Sequence, residues 1–157
     1  MDREKFEYAG FWRRLLAWIV DSILVILTAC FLAIVFGFIL ILIISMLVKD
    51  ENLANSIYTL TGYVIGFISY CVYFIGFEVS NFKATPGKLL FNMIVLDEKH
   101  EKIGFLRATT RLFAKFLSGF LLGMGFLVCM FTQKKQALHD IIANTLVIKK
   151  TKEEDVI

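Results

Sequence analysis

The sequence predicts an all-α membrane protein with two full transmembrane helices, a third membrane-inserted helical segment and a small cytoplasmic strand pairing. Three observations carry this. Of 157 residues, 58% are hydrophobic and only 20% charged, and the mean hydropathy of +0.72 is well above that of a chain with a water-solvated surface. Two apolar stretches exceed the ~20 residues that a spanning helix needs. Two short apolar runs, Met93-Ile94-Val95-Leu96 and Thr145-Leu146-Val147-Ile148, read as strands and can pair only on one side of a bilayer.

Residues 1–14 form a polar N-terminal arm, and the membrane domain covers 6–150 as one unit, closed by a charged tail at 151–157. The first span is about 15–48, apolar from Leu15 to Val48 except at Asp21. At ~1.5 Å per residue it is longer than a hydrocarbon core of ~30 Å, so it tilts or starts in the headgroup region. A cleavable signal peptide fits poorly, because Asp2, Glu4 and Glu7 precede an apolar run that is too long and lacks a small-residue cleavage site. Lys49-Asp50-Glu51-Asn52 breaks the pattern, and the charge-free stretch from Leu53 to Phe77 crosses back as the second span, about 53–77.

Residues 83–104 read as a cytoplasmic helix, strand and turn. Thr85 stands as an N-cap with Pro86 at the first helical position, opening a short helix through about Asn92. The strand then ends at Asp97, and Glu98 to Lys102 form a charged turn. In the interfacial helix and membrane segment at 105–131, Arg107, Arg111 and Lys115 recur at four-residue spacing on one face. That face either snorkels towards anionic headgroups or turns Arg111 to a carboxylate inside the membrane.

The third hydrophobic stretch, Phe116 to Phe131, carries Gly119, Gly123 and Gly125 and is either a short span or a re-entrant hairpin. If it spans, 11 basic residues lie with the N-terminus and 6 opposite; if it re-enters, the division is 16 to 1. The positive-inside tendency prefers the second, with both termini cytoplasmic. A C-terminal helix and strand at 134–150 complete the domain.

Several chemistries are set aside. Cys30, Cys71 and Cys129 lie far apart in apolar segments, which supports neither a zinc site nor a disulfide framework. No GxxxxGK[ST], GxGxxG or GxSxG occurs, and no nucleophile and base pair is visible, so neither an enzyme nor a cofactor is expected. The net charge of +3 points to the membrane surface before nucleic acid.

Arg14 and Asp21 share a face of the first helix, about 10 Å apart along its axis, too far for an easy salt bridge. An aspartate within a span costs up to roughly 2.5–3.5 kcal/mol, so Asp21 is a functional-site candidate needing a cationic or hydrogen-bonding partner, unless headgroup water solvates it.

The run Ala9-Gly10-Phe11-Trp12-Arg13-Arg14-Leu15-Leu16-Ala17-Trp18-Ile19-Val20-Asp21, the Thr85-Pro86-Gly87-Lys88 element, Arg111, and Leu138-His139-Asp140-Ile141-Ile142-Ala143-Asn144-Thr145 together resemble the RDD family of bacterial membrane proteins. The resemblance covers about Phe6 to Lys150 and maps the family's arginine and two aspartates onto Arg14, Asp21 and Asp140, with Arg111, Lys88 and His139 in support. A hairpin-turn glycine common in the family is absent, and Lys99-His100-Glu101-Lys102 stand there.

The resemblance implies a multi-pass protein of the bacterial cell membrane, in a mostly uncharacterised family with members linked to cation/proton exchange. Arg14 is expected to meet Asp140 and Asp21 to meet Arg111, either as an ion or proton site or as a lock between segments; the alternative for Asp140 is to cap a helix or turn. Four-residue spacing of Ala29, Ala33 and Gly37, of Gly62 and Gly66, and of Gly119 and Gly123 suits close helix packing, within one chain or in a homo-oligomer. Two function classes follow. One is a transporter or cation/proton exchanger acting as an oligomer. The other is a membrane scaffold or regulatory subunit serving a protein partner.

Overall fold

The computed structural model describes residues 7–120 and 124–150. The first six residues of the arm, the tail at 151–157 and the middle of the third hydrophobic stretch, 121–123, lie outside the described residues. In chain order the elements are α1 (Phe11–Leu47), α2 (Glu51–Val79), α3 (Pro86–Leu90), β1 (Met93–Asp97), α4 (Phe105–Phe120), α5 (Met124–Leu127), a 3-10 turn (Val128–Met130), α6 (Leu138–Ile142) and β2 (Thr145–Lys149). They group into two compact units, Ser22–Tyr73 and the remainder on both sides of it.

The Ser22–Tyr73 unit consists of the apolar lengths of α1 and α2, which are long and apolar enough to cross a membrane. Phe31, Ile34, Phe38 and Met46 stand exposed along α1, an apolar surface that water does not favour. A Cβ added at Gly37, Gly62 or Gly66 would meet nothing within 4 Å. These glycines therefore do not seat one helix against another within the chain.

The other unit is built around the strand pair expected from the sequence. β1 and β2 are antiparallel, with Val95 opposite Val147 at the centre of the register. Both faces of the pair are buried, so the strands read as continuous apolar runs instead of alternating ones. Met93, Val95 and Val147 pack with Ala9, Ala17, Ile103 and Ala108. Ile94, Leu96, Leu146 and Ile148 pack with Ala84.

Two short helices feed these strands. α3 and α6 each span five residues, and each passes into its strand through an asparagine with left-handed backbone, Asn92 at φ 53° and Asn144 at φ 51°. Asparagine tolerates that region better than most side chains. A cap–helix–asparagine–strand unit thus occurs twice, a repeat too short to have shown itself in the sequence.

The arm contributes more than charge. Ala9 N–H donates to the Val147 carbonyl at 3.0 Å and Lys149 N–H to the Glu7 carbonyl at 2.8 Å, so the arm pairs with the free edge of β2. At the other end of β1, Asp97 Oδ1 accepts from the Lys99 and Glu101 amides, both at 2.8 Å, and Arg107 donates to Oδ2 at 2.6 Å. In the turn after β1, His100 takes φ 63°.

Candidate functional site

The charged residues singled out in the sequence converge in the strand-containing unit, at the start of α1. One turn apart on α1, Ala17 and Asp21 face the beginning of α3 and are 1% exposed. The Gly87 amide donates to Asp21 Oδ1 at 2.7 Å and the Thr85 hydroxyl to Oδ2 at 2.5 Å. Asp21 therefore acts as the N-terminal cap of a helix that belongs to a distant part of the sequence, satisfying amides that the helix itself leaves open. The approach demands glycine at position 87, because a Cβ there would lie 2.4 Å from the Ala17 carbonyl oxygen and 2.7 Å from the Asp21 carboxylate.

A buried chain of ion pairs runs beside this latch. Arg14 pairs with Asp140 Oδ2, and its Nε donates to the Ala9 carbonyl at 3.0 Å. Arg111 donates to Asp140 Oδ1 from Nη2 at 2.6 Å and from Nε at 3.0 Å. Its Nη1 lies 3.0 Å from Glu78 Oε1, which also accepts from Lys88 Nζ at 2.5 Å and approaches Lys115 Nζ at 3.5 Å. Lys115 sits 4.5 Å over the Phe74 ring.

Burial alone would raise the Asp140 carboxyl, but Arg111 and Arg14 outweigh it and hold the group well below the ordinary carboxylate range. Asp140 also accepts from the Ala137 amide at 3.2 Å, so it caps its own helix as well as binding two arginines. His139 Nε2 lies 3.3 Å from Asp140 Oδ1, yet burial pushes its pKa down to about 3 and keeps the ring neutral. Lys88 is lowered to about 7 by burial and by Arg111, against the pull of Glu78.

The expected pairing of Arg14 with Asp140 is present. Arg111 is drawn instead to Asp140 and Glu78, while Thr85 and Gly87 hold Asp21. Headgroup solvation of Asp21 is excluded by its burial. Of the two readings of the basic face of α4, Arg111 follows the carboxylate one, 1% exposed and turned inward to Asp140 and Glu78, while Arg107 pairs with Asp97 and stays half exposed.

Sequence reading missed Glu78. The apolar run was ended at Phe77, but α2 continues to Val79, placing Glu78 one turn beyond Phe74 on the same buried face. A carboxylate immediately after a charge-free span, within helical reach, was the available signal.

A cavity of about 520 Å³ adjoins the ion pairs, bordered by Arg14, Asp21, Lys88, Arg111, Lys115 and His139 on its charged side. Phe11, Leu15, Trp18, Leu127 and Val147 line the apolar part. Among the described residues, Arg14 Nη2 is buried without a hydrogen-bond acceptor. No cluster of three His, Cys, Asp or Glu side chains suited to a metal occurs among the described residues.

The chain is 29% identical over 155 residues to the uncharacterized protein YxaI of Bacillus subtilis strain 168, covering 90% of this chain and 97% of that protein. No solved structure matches it. The RDD family model matches residues 8–144, a range that begins in the arm beside β2 and ends at the asparagine before that strand, enclosing Arg14, Asp21, Glu78, Arg111 and Asp140. With that range and these residues in place, the chain belongs to the RDD family.

Proposed function

We propose that this protein is a multi-pass transport protein of the cell membrane, acting as an oligomer, with the Glu78–Arg111–Asp140 cluster as its ion site. The observation that carries the reading is the 520 Å³ cavity against a buried ion network. Ionisable groups at the edge of a span are costly and commonly mark ion or proton pathways.

Formal charge sets the sign of the solute. Arg14, Lys88, Arg111 and Lys115 face Asp21, Glu78 and Asp140, with His139 neutral, which leaves one positive charge in excess when Lys88 carries its proton. A site of that balance attracts an anion and repels a cation. We therefore propose an anion as the solute, in place of the cation of the exchange that the family resemblance implied. Lys88, near neutrality at about 7, gains its proton more readily when an anion arrives, which couples the two.

Both chain ends are assigned to the cytoplasmic side, and 116–131 to a re-entrant segment. The pairing of the arm and β1 with opposite edges of β2 supports this, together with the distribution of basic residues. Open space beside Gly37, Gly62 and Gly66 supports association between copies.

A second reading, a scaffold or regulatory subunit for a protein partner, is favoured by the commitment of both Asp21 oxygens to Thr85 and Gly87, which makes that residue a lock. Reconstitution separates the two. Purified protein in liposomes enclosing a pH-sensitive dye is given gradients of Na⁺, K⁺, chloride, phosphate or decanesulfonate, alongside Lys88→Gln. Proton movement that follows an anion gradient and is lost in the variant is the expected result. Behaviour like empty liposomes in every gradient removes transport and leaves the scaffold.

A further inference from the structure

We infer that the cavity between α1, α4 and α5 is a binding site for a single-chain amphiphile with an anionic head, specifically a long-chain carboxylate. The inference rests on the cluster being an anion site, as argued above, but it does not require transport.

The first ground is the spare donor capacity. Among the described residues, Arg14 Nη2 is buried with no acceptor. Among the described residues, Lys88 Nζ makes one hydrogen bond, at 2.5 Å, and Lys115 Nζ, besides its place over the Phe74 ring, one long approach at 3.5 Å, both to the same Glu78 oxygen, although an ammonium carries three donors. These three residues border one cavity, so the donors that a carboxylate would satisfy belong to side chains that share its lining. Bidentate or multiple charge-assisted bonds to a carboxylate are the strong form of such contacts.

The second ground is the shape and lining away from the charges. The cavity's apolar lining includes Phe11, Leu15, Trp18, Leu127 and Val147. Trp18 and Leu127, at 49% and 44% exposure, stand half open where that wall meets the surface. Small hydrophilic anions gain nothing from such a wall, whereas an alkyl chain gains ~0.8 kcal/mol for each methylene it removes from water. About 520 Å³ lies within the range of sites for one small ligand, ~300–1,000 Å³, and falls short of what two acyl chains and a phosphodiester head occupy.

A third observation supplies a clean variant. Gly119 borders the cavity, and a Cβ built there meets nothing within 4 Å. Gly119→Phe therefore fills the tail space while leaving the ion pairs untouched.

Native mass spectrometry of the detergent-purified full chain tests this with palmitate, hexadecanol, acetate and a diacyl phosphatidylglycerol. The expected result is one palmitate per chain, with hexadecanol and acetate failing to compete. Lys115→Gln is expected to weaken palmitate about tenfold, and Gly119→Phe to abolish the adduct while melting at the wild-type temperature. Equal binding of hexadecanol, acetate binding as tightly as palmitate, or displacement of palmitate by the two-chain lipid would each overturn the inference, as would an unaffected Gly119→Phe. Palmitate binding without flux in liposomes would leave this site standing and remove transport; phosphate flux without palmitate binding would do the reverse.

Discussion

Lys88 and Asp140 occupy the same position, the third residue, of two short helices that each lead through a left-handed asparagine into one strand of the β1–β2 pair. One carries a positive charge and the other a negative, and Arg111 joins them by contacting Glu78, the partner of Lys88, and Asp140 itself. The ion chain therefore follows the approximate two-fold relation of the strands, and several consequences can be measured.

Replacing Gly87 by alanine forces a Cβ against the carbonyl oxygen of Ala17, a backbone atom that cannot rotate away. A loss of about 2–4 kcal/mol is expected, the range for overpacking combined with a disturbed buried polar contact. Thermal unfolding in detergent should show Gly87→Ala well below wild type and Thr85→Ser close to it, since serine keeps the hydroxyl that Asp21 accepts from. An unchanged melting temperature for Gly87→Ala would contradict the latch.

Glu78→Gln leaves Lys88, Lys115 and part of Arg111 without their shared carboxylate. Breaking a buried pair from one side costs about 3–5 kcal/mol. Adding Lys88→Met to Glu78→Gln should recover part of that loss, because one stranded cation disappears. A double-mutant cycle with purely additive effects would show that the two side chains do not interact.

His139 gives stability a specific acid limit. Its folded pKa of about 3 lies below the ordinary ~6.5, so the unfolded chain binds more protons than the folded one between those values. Stability is therefore complete above about 6.5 and falls as pH drops towards 3, by up to ~1.4 kcal/mol per unit in the middle of the window. Asp140, also depressed, adds its loss below the ordinary carboxylate pKa. In His139→Gln the decline between pH 6 and 4 should flatten; an unchanged slope would assign it elsewhere.

At the β1 turn, His100 holds φ 63° where glycine would be unstrained. His100→Gly is expected to gain about 0.5–1 kcal/mol, read as a small rise in melting temperature. A fall would mean that contacts of the imidazole outweigh the backbone relief.

How much of this was legible depends on the range of the interactions. The two long helices and both strands followed from apolar run length, a local property. Arg14 with Asp140 was reachable from the resemblance and from charge. Asp21 was not: it accepts from the hydroxyl of the residue before α3 and from a backbone amide within α3, and an amide leaves no mark on a sequence pattern. Glu78 escaped because the end of hydrophobicity was taken for the end of the helix. The edge contact of Ala9 with β2 involves too few residues to show the alternation by which strands are recognised.

The bonds from Ala9 to Val147 and from Arg14 to Asp140 also impose an order in time. α1 is synthesised long before β2, so Arg14 must wait beside the growing chain until Asp140 arrives. An interrupted chain that stops before α6 has Arg14 and Arg111 in place with no Asp140 to receive them, and the arm has no strand edge to join. The charged centre is thus completed only once α6 has been made, and a fragment lacking α6 would present cell proteases with exposed cations and an open β1 edge.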